Sequence, residues 1–179
     1  PGAFNKMDPP LHTKYRRVIG GFFSGRKADE QIPEIAKAAG ELLDAMADRG
    51  APADLVRDFA RPLPARIIFD MLAVPAHMRA PLHDNLDVIM RLSLTLDELL
   101  DAVRVVGGLL DELVVIKRKP GADGILARLA RGGELDDTEL RNIAWALLGG
   151  GTDTTANMIG LGTLALLEHP DQLRTLRAR

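Results

Sequence analysis

The chain has 179 residues, 46% of them hydrophobic, and a formal net charge of -2 at pH 7, which is enough apolar material for a core and gives no overall attraction to nucleic acid. It contains no cysteine, which excludes disulfides, thiolate catalysis and any thiolate metal ligand supplied by these residues. Neither a signal peptide nor an uninterrupted apolar run of membrane-spanning length is evident, so the expectation is a soluble, cytoplasmic protein with no membrane partner, folded as one helical domain over residues 1–179.

Charge is uneven at the start. Lys6, Lys14, Arg16, Arg17, Arg26 and Lys27 stand against a single acid, Asp8, and such a stretch either attracts an anion or forms a solvated basic face. Pro9-Pro10 can open a helix, whose first turn needs no N–H donors, and His12 and Arg16 then lie four apart on one face, spaced to grip a carboxylate. From Ala28 to Arg49 the positions Ile32, Ile35, Ala36, Ala39, Leu42, Leu43 and Met46 keep helical spacing, with Gly50 as a stop. Leu55 to Leu72 reads as a helix that starts or kinks at Pro62 and Pro64 and ends at Ala73-Val74-Pro75, with Ile67, Ile68, Phe69, Met71 and Leu72 expected in the core.

Two further helical patterns, Ala76 to Arg91 and Leu96 to Lys117, are joined by Leu92-Ser93-Leu94-Thr95, where Thr95 or Asp97 can cap the second. His77 and His83 fall in the first, and, read as having no acid or Cys partner at ligand spacing, they are expected to be surface histidines rather than a metal site. Lys117-Arg118-Lys119 suits a helix C-terminus and Pro120-Gly121 a stop. A short helix from Asp123 to Arg131 follows, and Leu173 and Leu176 begin another after Pro170. The pattern is all-α.

Between the last two lies the longest element. Leu135-Asp136-Asp137-Thr138-Glu139 offers a capping box, so a helix starts near Asp137, and nothing stops it before His169-Pro170. At 1.5 Å per residue it is about 48 Å long, whereas a globule of this chain length is roughly 40 Å across. Its apolar residues run nearly all round, which predicts burial by neighbours on every side and a chain that is part of something larger. Mid-helix sit Gly149-Gly150-Gly151-Thr152-Asp153-Thr154-Thr155. Three glycines cost about 1 kcal/mol each in a helix, and a buried carboxylate is expensive unless paired. Two readings stay open on the residues alone. Either a flat ligand or dioxygen approaches the backbone at Gly150 and Gly151 while Asp153 and Thr154 relay protons, or the helix kinks, its threonine hydroxyls bonding back to carbonyls and Asp153 pairing with an arginine. A phosphate-binding loop is excluded by the missing Lys and strand.

Gly150-Gly151-Thr152-Asp153-Thr154-Thr155, with Ala156-Asn157-Met158-Ile159 and Leu164-Ala165-Leu166-Leu167-Glu168-His169-Pro170 behind it, resembles the central I-helix of soluble bacterial cytochrome P-450 monooxygenases. Met7-Asp8-Pro9-Pro10-Leu11-His12-Thr13-Lys14-Tyr15-Arg16-Arg17 resembles the family's C-helix, Phe22-Phe23-Ser24 continues that pattern, and Leu72-Ala73-Val74-Pro75 resembles the exit from its E-helix. The resemblance implies the helical part of that fold around a long I-helix, with the beta subdomain and the haem-thiolate loop missing. It implies haem as cofactor, with Gly150 and Gly151 facing it, Asp153 and Thr154 delivering protons, and His12 and Arg16 binding a propionate. The helices over Ala76 to Arg91 and Leu96 to Lys117 would lid a pocket for a small apolar substrate. A ferredoxin-type electron donor would dock with help from Lys14 and Arg17.

The family's axial thiolate has no counterpart here, and its Glu-x-x-Arg motif and Cys loop are expected beyond Arg179. A partial monooxygenase that is inactive alone is therefore the expectation. The alternative is a non-catalytic helical binding or interaction module, a degenerate relic whose exposed apolar surface would lead to self-association.

Overall fold

The computed structural model describes residues 7–91 and 93–178; Lys6 of the basic stretch and Leu92 of the interhelical link lie outside the described residues. The elements, in order, are α1 (Leu11–Gly20), α2 (Gly25–Arg49), a π-turn (Val56–Ala60), α3 (Pro62–Met71), α4 (Ala76–Ile89), α5 (Leu96–Arg118), α6 (Gly124–Arg131), α7 (Asp137–Glu168) and α8 (Pro170–Arg177). No strand occurs among the described residues, as the period of the apolar positions predicts.

Local chemistry accounts for most boundaries. Ser24 Oγ accepts the N–H of Lys27, so α2 begins at Gly25, three residues earlier than its apolar spacing suggests. The expected Leu55–Leu72 helix is split. Arg61 N–H reaches back five residues to the carbonyl of Val56 at 3.0 Å, closing the π-turn, and α3 restarts with Pro62 and Pro64 in its first turn, where missing donors cost nothing. Thr95, not Asp97, caps α5 in a reciprocal box with Glu98.

The core gathers Leu72 and Val74 after α3, Met78 and Leu82 on α4, Val106, Leu110 and Leu113 on α5, Leu126 on α6, and Leu140, Ile143 and Leu148 on α7. Phe69 is buried with Leu72, while Ile68 and Met71 pack on its edge and Ile67 borders a surface groove. Two cations expected merely to suit the end of α5 do tertiary jobs instead. Lys117, 4% exposed, donates to the carbonyl of Ala73 at 2.6 Å. Arg118 spreads its fork over Asp137 Oδ1, the Ala130 carbonyl and the Leu135 carbonyl at 2.8 to 3.1 Å, tying α5 to the entry of α7. At Gly124, φ is +84° and an added Cβ would lie 2.8 Å from the backbone of Leu72, so a side chain there would push α6 off α3.

The first turn of α7 also holds α1. Asp136 accepts from the Glu139 N–H at 2.7 Å, and Glu139 Oε2 accepts from the Asp136 N–H at 2.9 Å. Its other oxygen, Oε1, accepts from Lys14 Nζ and from the Tyr15 hydroxyl, both at 2.7 Å. Burial and the bond to Glu139 push the Tyr15 hydroxyl up to about 12. Burial works against ionised Glu139, but the bonds from Lys14, Asp136 and Tyr15 outweigh it and hold the carboxyl below its usual range.

One expectation is corrected. Only the N-terminal half of α7 is enclosed: Leu140, Ile143, Ala144 and Leu148 are buried, Ala156 is the last buried residue, and beyond it Met158 is 72% and Leu161 65% exposed, with Leu164 and Leu167 open as well. Ile32, Ile35 and Leu43 on α2 are likewise exposed. The helical spacing is right on both, but no described element covers those faces.

Candidate functional site

Within α7 the glycine run does not break the helix, which stays α-helical from Asp137 to Glu168. Successive residues turn by about 100°, so Gly150 and Gly151 look in different directions. Gly150 is exposed, and nothing lies within 4 Å of where a Cβ would be. Gly151 looks inward: its Cβ would fall 2.5 Å from Ile68 Cδ1 of α3. Its lack of a side chain is therefore explained by helix packing, whereas that of Gly150 leaves bare backbone on an open face.

Thr154 stands one turn beyond Gly150 and is also exposed, its Oγ1 donating to the Gly150 carbonyl at 2.6 Å. Thr152 bonds back to Leu148 in the same way at 2.7 Å. These bonds spend each hydroxyl's proton on the helix, leaving the oxygen lone pairs of Thr154 to accept a proton or a hydrogen bond on the open side. The back-bonded arrangement weighed from sequence is thus present, without excluding the ligand-facing one.

Asp153 points toward α3 and α4. Its side chain is 26% exposed, with Oδ1 4.0 Å from Arg61 Nη2, and the same Nη2 lies 3.0 Å from Asp87 Oδ1. Burial raises the Asp153 carboxyl above its usual range; Arg61 opposes the rise and the nearby Asp87 adds to it. His83 Nε2 is 4.0 Å from Asp87 Oδ2. These groups and Thr152 line a cavity of about 10 Å³, room for roughly one water. Further along, an open groove of about 690 Å³ runs from Asp153 past Val56, Met90, Leu161 and Leu164.

Gly150 and Thr154 are therefore brought together on the open face, while Asp153, on the same two turns, directs its carboxyl toward α3 and α4. His12, half-buried, and Arg16, exposed, share a face of α1, and neither side chain has a polar partner among the described residues. Their helix is fastened at Glu139, about 16 Å along α7 from Gly150. Lys14 and Arg17, read as docking cations, are engaged within the fold, with Glu139 at 2.7 Å and Glu134 at 2.6 Å respectively. His77 lies beside Glu112 at 3.5 Å, and no cluster of metal-ligating residues exists among those described. An arginine beside Asp153 was one of the two open readings from sequence, and Arg61 fills that place at 4.0 Å, but which arginine it is and the presence of Asp87 were not read. Asp87 follows His83 by one helical turn, a visible signal; Arg61 carries none, because the packing of the π-turn against α7 brings it there.

No protein-family model matches the chain. Curated relatives do: it is 39% identical over 176 residues to "Cytochrome P450-SU2" of Streptomyces griseolus, covering 98% of this chain and 44% of the relative. It is 37% identical over 175 residues to "Vitamin D(3) 25-hydroxylase" of Pseudonocardia autotrophica, covering 95% and 43%. Among solved structures, that of CYP105P1 in complex with filipin I superposes with a TM-score of 0.90 at 37% identity, covering 99% of this chain and 46% of that one. The chain thus spans less than half the length of the relatives it matches.

Proposed function

Since the chain belongs to the bacterial cytochrome P-450 family, as the helical part of its fold, we propose that it serves a haem monooxygenase, inserting one atom of dioxygen into a small apolar molecule. The supporting observation is the open face of α7. At Gly150 the backbone is bare and free of neighbours, and Thr154 offers its oxygen one turn away, a surface that a flat macrocycle can approach closely. Haem, when bound, supplies the iron at which dioxygen is activated. What this chain contributes is position and protons.

Thr154 is held in one rotamer by its bond to Gly150 and accepts a hydrogen bond on the open side. Asp153, whose carboxyl takes up a proton more readily than an ordinary aspartate, carries protons toward that turn. His12 and Arg16, unpartnered on α1, would bind the propionates, and the thiolate would come from residues outside this chain. Residues 1–179 would act as one helical unit, inactive alone, with electrons arriving from a ferredoxin-type donor. Lys14 is tied to Glu139, whereas Arg17, 65% exposed in its pair with Glu134, stays open to such a donor.

Thr154→Ala in the longer protein tests the reading. Oxygen consumption should continue while product per oxygen consumed falls about tenfold or more, the scale of a lost general acid–base contribution. Unchanged coupling would remove Thr154 from the chemistry. The exposed apolar faces of α2 and α7 suit the alternative, a non-catalytic binding module. The longer protein failing to take up haem at all would favour it.

A further inference from the structure

Asp153 is one corner of a charged cluster whose other members have no role so far. Arg61, between the π-turn and α3, faces two carboxylates with one guanidinium, and its Nη2 is nearer to Asp87 at 3.0 Å than to Asp153 at 4.0 Å. The Asp87 oxygen that Arg61 leaves free, Oδ2, lies 4.0 Å from Nε2 of His83, one turn earlier on α4. All four surround the water-sized cavity between α3, α4 and α7. The other charges nearby are engaged or turned away: Asp58 of the π-turn pairs with Arg57 at 2.8 Å and with Arg49 of α2 at 3.3 Å, and Asp84 of α4 is exposed.

We propose that His83 and Asp87 are positioning residues that set, through Arg61, whether Asp153 is held as a carboxylate. While His83 is neutral, Asp87 keeps Arg61 and Asp153 has no cation in close contact. Once His83 is protonated, Asp87 has a cation of its own and Arg61 is released to close the 4.0 Å to Asp153. The side chain of His83 is 35% exposed, so it samples solvent, and histidine is the side chain whose ordinary range spans neutral pH. The device would couple the charge of the site to outside pH. It rests on the role given to Asp153 above, but its test reads titration and not turnover, so the two can fail separately.

The experiment follows the Asp153 carboxyl carbon by NMR against pH in the 179-residue chain, its signal assigned by loss in Asp153→Asn. His83→Gln should move the Asp153 midpoint up by about 0.5, because Asp87 then keeps Arg61 and withholds it from Asp153, and Asp87→Asn should move it down, because a like charge is removed and Arg61 freed. In an Arg61→Gln background the effect of His83→Gln should shrink to less than about half, as a double-mutant cycle requires when one residue acts through another. An unchanged midpoint in both single variants overturns the proposal. So does a His83 effect that keeps its size without Arg61, which would mean a direct field. Should a variant fail to fold, the reciprocal titration decides: Asp153→Asn should lower the His83 imidazole midpoint, since coupling is equal in both directions, and an unmoved imidazole overturns the proposal.

Discussion

Gly150 and Gly151 are neighbours with opposite surroundings, and substitution separates them. Gly150→Ala meets nothing within 4 Å and should stabilise the chain by about 0.5–1 kcal/mol through helix propensity. Gly151→Ala drives a methyl into the side-chain end of Ile68, which must shift, and should leave the chain about 1–3 kcal/mol less stable than Gly150→Ala does, the range for overpacking. Urea unfolding of both variants shows whether that gap exists. Asp153 carries a second prediction. Its folded pKa is raised by burial, so the native state favours the protonated acid; the charge lowers stability above that pKa, and the loss is recovered as pH falls through it. Asp153→Asn should therefore raise the thermal midpoint at pH 7, with the gain disappearing in acid. A residue retained at a cost to stability fits a functional role.

The entry of α7 shows how one side chain can close an element and fasten another. Glu139 completes the capping box with Asp136 and binds Lys14 and Tyr15 of α1 through its second oxygen. Its folded pKa is depressed, so its contribution is present above the unfolded value of about 4.3 and is lost as pH falls through the folded one. Glu139→Gln should cost about 2 kcal/mol at pH 7, the scale of charge-assisted hydrogen bonds, and nothing below the folded pKa. Circular dichroism melts at both pH values measure the difference. The box itself was readable in four residues, because a cap is local. The bonds to α1 were not, since they join positions more than a hundred residues apart.

For the whole molecule, the exposed stripe from Met158 to Leu167 is the largest departure from what the apolar pattern implies. A helix apolar all round reads as enclosed, yet among the described residues one half is covered and the other meets little beyond Val56 beside Gly160, leaving its apolar stripe open. The chain on its own should therefore associate as its concentration rises, and Met158→Glu with Leu161→Glu should reduce that association without lowering the unfolding midpoint, because both side chains already lie in solvent. Light scattering after size exclusion checks the first outcome and a thermal melt the second.

The sequence by itself determined the number and order of the helices, the capping box of the longest and the break at Pro62, and the glycine–acid–alcohol run, since each depends on residues within a few positions of one another. It also carried the family resemblance. Only the tertiary structure decided that Gly151 serves Ile68 while Gly150 stays open, that Lys117 and Arg118 tie helices together, and that Asp153 meets Arg61 and Asp87 across a water-sized cavity. Helical periodicity sets the angle at which a side chain leaves its helix. What it meets there depends on how helices distant in sequence pack, and no local pattern encodes that.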